Sequence, residues 1–227
     1  MPETTEIKGR DGVLTGTLRI NEIFLSLQGE SGLVGLPTVF VRLTGCPLRC
    51  RYCDTEYAFH DGRRMDLATV LGEVTGYRTR HVTVTGGEPL AQKDCITLLA
   101  RLCDEGYCVS LETGGALDIS AVDERVIRIM DLKTPASGEE SRNRYQNLEH
   151  LNSRDQVKFV ICDRADYEWS LEKIREYQLP DRCEVLFSPG YRQQDAAQLA
   201  DWILADRLPV RFQIQLHKFL WGDVPGR

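Results

Sequence analysis

From Leu18 onward, short apolar or β-branched runs alternate with longer segments in which apolar residues recur every three to four positions. The first pattern belongs to strands and the second to amphipathic helices. The runs predict strands over 19–25, 38–43, 81–85, 108–112, 126–131, 157–161, 184–187 and 210–215. The clearest helix is expected over 90–104, where Cys95, Leu98, Leu99 and Leu102 make one apolar stripe, with others over 67–75, 167–177 and 195–205. Strands separated by helices of this length pair in parallel through right-handed crossovers. Six or so such units predict an α/β fold, a partial (β/α)6 TIM-like barrel. Residues 1–17 are polar and without periodicity, so they are expected to form a flexible arm ahead of one domain over 18–227.

Barrels of this kind carry their chemistry on the loops that leave the carboxyl ends of the strands. Four such loops follow the expected strands: the cysteines after Leu43, the glycines after Val84, those after Glu112, and Ser188-Pro189-Gly190 after Phe187. Lys133, just past Asp131, joins them, and all are expected to converge on one mouth.

The cysteine loop has the spacing C-x-x-x-C-x-x-C, with Cys46, Cys50 and Cys53. It supplies three thiolates where a 4Fe-4S cluster needs four ligands, leaving one iron open to bind and reduce a small molecule. The alternative is a zinc-binding interaction domain, which ordinarily needs a second cysteine knuckle or a histidine pair. Cys95, Cys103, Cys108, Cys162 and Cys183 are scattered through apolar patterns and form no such knuckle, although His60 lies near enough in sequence to be a fourth ligand. Eight cysteines among 227 residues are not disulfide-dense, and no apolar amino-terminal signal segment is present, so reduced thiols in the cytoplasm are expected.

Composition narrows the class without naming the chemistry. With 42% hydrophobic and 27% charged residues and no apolar run of membrane length, a membrane-spanning protein is not expected. A net charge of −6, with both signs interspersed, gives no basic face for nucleic acid.

Thr85-Gly86-Gly87-Glu88-Pro89 follows an expected strand and opens a helix, with proline where it costs nothing. Paired glycines let a bound group approach the backbone, but alone they read equally well as a tight turn. Arg42 interrupts an apolar strand, which is costly unless the guanidinium is paired with a carboxylate of the protein or of a substrate. Thr55 ends a turn after Asp54, and its neutral hydroxyl would suit Mg²⁺, a cation that takes oxygen ligands and keeps several waters.

Together and in this order, Cys46-Pro-Leu-Arg-Cys50-Arg-Tyr-Cys53 and Thr85-Gly-Gly-Glu-Pro89 resemble the radical S-adenosylmethionine (SAM) superfamily. Ser26-Leu-Gln-Gly-Glu30, Phe40-Val-Arg-Leu-Thr-Gly-Cys46, Cys53-Asp-Thr55 and Gln215-Leu-His-Lys-Phe-Leu220 are similar to the 7-carboxy-7-deazaguanine synthase family within it. The resemblance implies a 4Fe-4S cluster, SAM and Mg²⁺, and the ring contraction of 6-carboxy-5,6,7,8-tetrahydropterin with loss of ammonia. A homodimer is also implied, with a small flavodoxin or ferredoxin as electron donor. A glycyl-radical-enzyme activating protein is the alternative within the same chemistry; the 26–30 segment and Thr55 speak against it.

Carried over residue by residue, the resemblance implies cluster ligation by Cys46, Cys50 and Cys53, and SAM contacts from Tyr52, Cys53, Asp54, Gly87, Asp131, Leu132, Lys133, Ser188 and Pro189. It implies pterin contacts from Leu27, Gln28, Gly29, Arg42 and Thr85, and Mg²⁺ ligation by Thr55. Glu30 either joins the pterin segment or is a solvated turn residue, Gly190 follows Ser188-Pro189 as cradle or turn, and Glu112 is a ribose or amine partner. His217 and Lys218 invite assignment as acid and base, yet a lone histidine after a strand is more often structural, so no catalytic residue is assigned. The tail Trp221–Arg227 extends beyond shorter relatives.

Overall fold

The computed structural model describes residues 15–224 and 226. Of the expected arm, residues 1–14 lie outside the described residues, and Thr17 already belongs to the first strand. Among the described residues, nine strands form one sheet: β1 (Thr17–Leu27), β2 (Pro37–Leu43), β3 (Arg63–Asp66), β4 (His81–Gly86), β5 (Cys108–Thr113), β6 (Ile127–Asp131), β7 (Gln156–Ile161), β8 (Glu184–Pro189) and β9 (Arg211–Phe212). Their spatial order is β3-β1-β2-β4-β5-β6-β7-β8-β9. From β2 to β9 every pairing is parallel, while β1 runs antiparallel to both β2 and β3. The α/β partial barrel expected from the alternating pattern is what forms.

The helices are α1 (Leu67–Gly76), α2 (Cys95–Asp104), α3 (Arg164–Tyr177), α4 (Ala196–Asp206) and α5 (Leu216–Trp221). Aspartates start three of them: Asp66, Asp163 and Asp195 each accept a backbone N–H three residues on, an arrangement worth about 1 kcal/mol per cap. The stripe Cys95, Leu98, Leu99 and Leu102 is fully buried against the sheet, as its period predicts. The helix begins at Cys95 instead of residue 90 because Gln92 is committed elsewhere. Its amide accepts from Arg19 N–H and donates to the carbonyls of Arg19 and Thr44, binding this turn to the start of β1 and the loop after β2. The connections β5–β6 and β6–β7 hold no α-helix; 3-10 turns over Pro135–Ser137, Glu140–Arg142 and Tyr145–His150 replace one in the second.

The sheet does not close on itself, and the loop between β1 and β2 fills the gap from inside. Gln28 reaches β4, where its amide donates to the Thr83 hydroxyl at 3.0 Å. Glu30 pairs with Lys158 of β7 at 2.6 Å, Ser31 N–H donates to Gln213 Oε1 beyond β9, and Gly32 N–H donates to Gln156 Oε1 at the start of β7. Because β1 is antiparallel to β2, this loop sits at the end of the barrel opposite the cysteines.

Candidate active site

Alternation along each strand decides which side chains reach the interior. On β2, Val39, Val41 and Leu43 enter the apolar core, whereas Phe40 and Arg42 line a cavity of about 240 Å³. All three cluster-loop cysteines line it, together with Tyr52, Asp54 and Thr55. Thr85, Gly86 and Gly87 follow from β4, Asp131 and Lys133 from the end of β6, and Ser188, Pro189 and Gly190 from β8. Leu27, Gln28, Gly29 and Glu30 also line it, but they form the floor instead of joining the mouth. Leu132 is the exception among the expected site residues: its side chain is fully buried in the core.

The cysteine loop is fixed by backbone. Gly87 N–H and Glu88 N–H donate to the carbonyls of Leu43 and Gly45 at 3.1 and 2.7 Å. A Cβ on Gly87 would lie 2.3 Å from Gly45 O, and one on Gly86 would lie 2.3 Å from Leu43 O. The group that approaches these glycines is therefore the start of the cluster loop itself. Glu88, fully buried, accepts from Thr113 Oγ1, Gly114 N–H and Leu90 N–H, and so ties the β4 loop to the β5 loop.

Burial raises the pKa of all three thiols, that of Cys50 to about 11, with Lys133 opposing the shift at Cys46 and Cys50. They are thiols until a metal makes them thiolates. Among the described residues, no three His, Cys, Asp or Glu side chains converge as ligands of one metal ion, and His60 is not part of the cavity wall. Three thiols on one loop suit a 4Fe-4S cluster, which gives each thiolate its own iron and leaves the fourth open.

Near the cysteines lies a partly buried charge network. Asp131 Oδ2 stands 3.3 Å from Lys133 Nζ and 3.4 Å from Lys158 Nζ, and Lys158 also binds Glu30. Burial alone would raise the Asp131 pKa, but the two ammonium groups more than offset it and hold the carboxyl below its ordinary value. Asp131 lines the cavity, while its Oδ1 is buried without a hydrogen-bond partner. Lys133, on the same wall, has the charge to take a carboxylate, so the pair could hold polar groups of SAM.

Glu112, half-buried, accepts from Thr85 Oγ1 at 2.8 Å and from Gln28 Nε2 at 3.3 Å. Burial, then the charge of Glu30, push its pKa up, with Lys158, Thr85 and Arg42 pulling back. Arg42 donates through Nε to Glu22 at 2.6 Å, its register partner on β1, while Tyr57 OH donates to the same carboxylate oxygen. Its protein partner is thus identified, and it still lines the cavity.

Lys158, Gln215 and the Glu88 tie have no place among the expected site residues. Lys158 carries a readable signal, a charge inside Val157-Lys-Phe-Val-Ile161, the same interruption that marks Arg42. His217 and Lys218 line the cavity from α5. Burial lowers the His217 pKa, and the imidazole packs against Gly29, where a Cβ would meet Nδ1 at 2.1 Å.

Comparison with known proteins agrees with this arrangement. The Radical SAM superfamily profile matches residues 40–203, spanning both the cysteine and the glycine loops. The 7-carboxy-7-deazaguanine synthase of Koribacter versatilis is 42% identical over 219 residues, covering 90% of this chain and 97% of that protein. That of Chlorobaculum tepidum is 44% identical over 208 residues, covering 90% and 94%. The crystal structure of QueE from Escherichia coli superposes with a TM-score of 0.74 at 25% identity, covering 88% of this chain and 95% of that one. Similarity of this extent means that the chain belongs to the radical SAM superfamily and, within it, to the 7-carboxy-7-deazaguanine synthase family.

Proposed function

We infer that this enzyme converts 6-carboxy-5,6,7,8-tetrahydropterin into 7-carboxy-7-deazaguanine with loss of ammonia, as a radical SAM lyase serving queuosine and related deazapurine biosynthesis. The observation that carries the reading is one cavity lined both by three cluster-ready thiols and by an amide–carboxylate pair, buried Gln28 and half-buried Glu112. The bound cluster and SAM supply the radical chemistry; the protein supplies position and exclusion of water. Glu112 offers acceptor lone pairs to the edge of a guanine-like ring, and Gln28, whose amide hydrogens go to Thr83 and Glu112, holds that carboxylate in place. Arg42 faces the substrate carboxylate, and the Thr55 hydroxyl, which already gives its proton to Asp54, has lone pairs left for Mg²⁺. Asp131 and Lys133 take the nucleoside and the methionine carboxylate. Leu132 contributes through its backbone, since its side chain is in the core.

Among the described residues no helix is long and apolar enough to cross a membrane. The reading places residues 18–227 as one catalytic domain in the cytoplasm, working as a homodimer with a flavodoxin or ferredoxin donor. Anaerobic reconstitution with iron and sulfide, followed by incubation with SAM, Mg²⁺, reductant and the carboxypterin, tests it. The expected result is 7-carboxy-7-deazaguanine and ammonia by mass spectrometry and enzymatic assay. A brown protein that cleaves SAM but leaves the carboxypterin intact would overturn the substrate.

A further inference from the structure

Helix α5 has only six residues, too few to be stable alone, and three contacts fix it over the cavity. Leu216 N–H donates to Gly29 O at 2.9 Å, and His217 packs on Gly29. The third contact is to the cluster loop: Lys218 Nζ lies 2.9 Å from Asp54 Oδ2, and Gln215 Nε2 donates to the same oxygen at 3.0 Å. The lysine side chain is 7% exposed, and its ammonium sits 4.5 Å from the centre of the Tyr191 ring, on the loop after β8. Asp54 Oδ1 accepts the Thr55 hydroxyl proton at 2.9 Å.

A carboxylate is a stronger ligand than a hydroxyl for a hard dication, so Asp54, adjacent to Thr55, is the natural competitor for Mg²⁺. In this structure both of its oxygens are in use. One takes an ammonium and an amide, the other takes the threonine proton. Drawing Asp54 onto a cation would cost those bonds and leave the Lys218 ammonium, itself largely buried, with only the longer contact to Asp223 at 3.7 Å among its carboxylate partners in the described residues.

We propose that Lys218 is a positioning residue for the magnesium site: it holds Asp54 away from the cation, so that the Thr55 hydroxyl is the group presented. This rests on the reading of Thr55 as a magnesium ligand. A structural prop and a ligand gate differ in what their loss does to metal binding. Loss of a prop weakens Mg²⁺ binding, whereas release of Asp54 adds a carboxylate ligand and removes a nearby positive charge.

The test is Mg²⁺ titration by calorimetry on cluster-containing protein holding SAM and carboxypterin. Lys218→Met is expected to keep its iron, to bind Mg²⁺ about tenfold more tightly, and to turn over about tenfold more slowly at saturating Mg²⁺. Adding Asp54→Asn to it should return the affinity to the parent value. Unchanged or weaker Mg²⁺ binding in iron-replete Lys218→Met overturns the proposal. Should Lys218→Met lose its cluster, Asp54→Asn decides: a change of less than about tenfold supports the gate, and a loss of about a hundredfold, the mark of a direct ligand, overturns it. Thr55→Ala separates the two readings. If it binds Mg²⁺ like the parent, the magnesium assignment fails and the gate with it; if it weakens binding while Lys218→Met changes nothing, the gate alone fails.

Discussion

The Glu88 carboxylate accepts the Gly114 N–H at 2.7 Å across two adjacent strand ends, and this bond joins the glycine loop of β4 to that of β5. Glu88 is fully buried, and its other acceptor contacts are Thr113 Oγ1 and Leu90 N–H. Burial pushes its pKa up, and the Gly114 and Leu90 amides and the Thr113 hydroxyl pull it back. Glu88→Ala would leave three donors without acceptors away from water, so we expect a loss of about 3 kcal/mol in the urea unfolding free energy. Glu88→Gln should lose less, since it keeps one acceptor oxygen. Equal stability of Glu88→Ala and the parent would remove this tie from the account.

Gly87→Ala probes the neighbouring contact. Its Cβ would fall 2.3 Å from Gly45 O and 2.9 Å from Cys46 Cβ, and the first of these is backbone, which cannot swing aside as a side chain would. The cluster loop must shift. The expected outcome is a protein with unchanged far-ultraviolet circular dichroism but less iron per chain than the parent after reconstitution. Full iron content would show that the loop tolerates the displacement.

The parts of this site legible in the sequence are those where a residue type contradicts its surroundings. Arg42 in an apolar strand, three cysteines within one loop, and Gly-Gly after a strand all carry their own signal. Lys158 carries it too, but a single charge in a strand names neither a partner nor a side, and its partners Glu30 and Asp131 come from distant segments. The barrel plug is illegible for the same reason. Nothing local in residues 28–32 announces that Gln156 and Gln213 will accept their amides. Periodicity gave the helix faces correctly, yet it could not place the start of α2, because the Gln92 amide answers to Arg19 and Thr44, far away in sequence. Leu132 shows the limit of carrying a motif across as a block: in an extended strand end, neighbours point to opposite sides.

Glu112 makes the site costly to fold at neutral pH. Its pKa is raised by burial first and by Glu30 second. An acid whose folded pKa is raised favours the folded state fully below its unfolded value, near 4.3, and that contribution is lost as pH rises through the folded value. Glu112→Gln removes the penalty while keeping the volume. We expect its urea midpoint to exceed the parent's at pH 8 and the advantage to shrink at pH 5, together with weaker carboxypterin binding at both. A pH-independent difference would mean that the carboxyl does not titrate as its surroundings imply.

Lys158 carries the opposite sign. It lies between Glu30 at 2.6 Å and Asp131 at 3.4 Å, with its side chain 16% exposed, and its pKa is raised well above the ordinary value: burial opposes the charge, but Asp131, Glu30 and Glu112 together prevail. Three carboxyl groups therefore lean on this ammonium, with Lys133 as the second cation of the network. Lys158→Met leaves them facing one another in a desolvated cavity, and removing one partner of a buried pair costs about 3–5 kcal/mol. The loss should be steepest at high pH, where none of the carboxyls can relieve the repulsion by taking a proton. Adding Glu30→Gln should recover part of it, because the new side chain no longer needs a cation, and the coupling between the two substitutions is measurable as non-additive unfolding free energies. Additive losses would mean that Glu30 and Lys158 act independently despite their contact, and the floor of the cavity would then be held by its other bonds, among them those to Thr83, Gln156, Gln213 and Leu216.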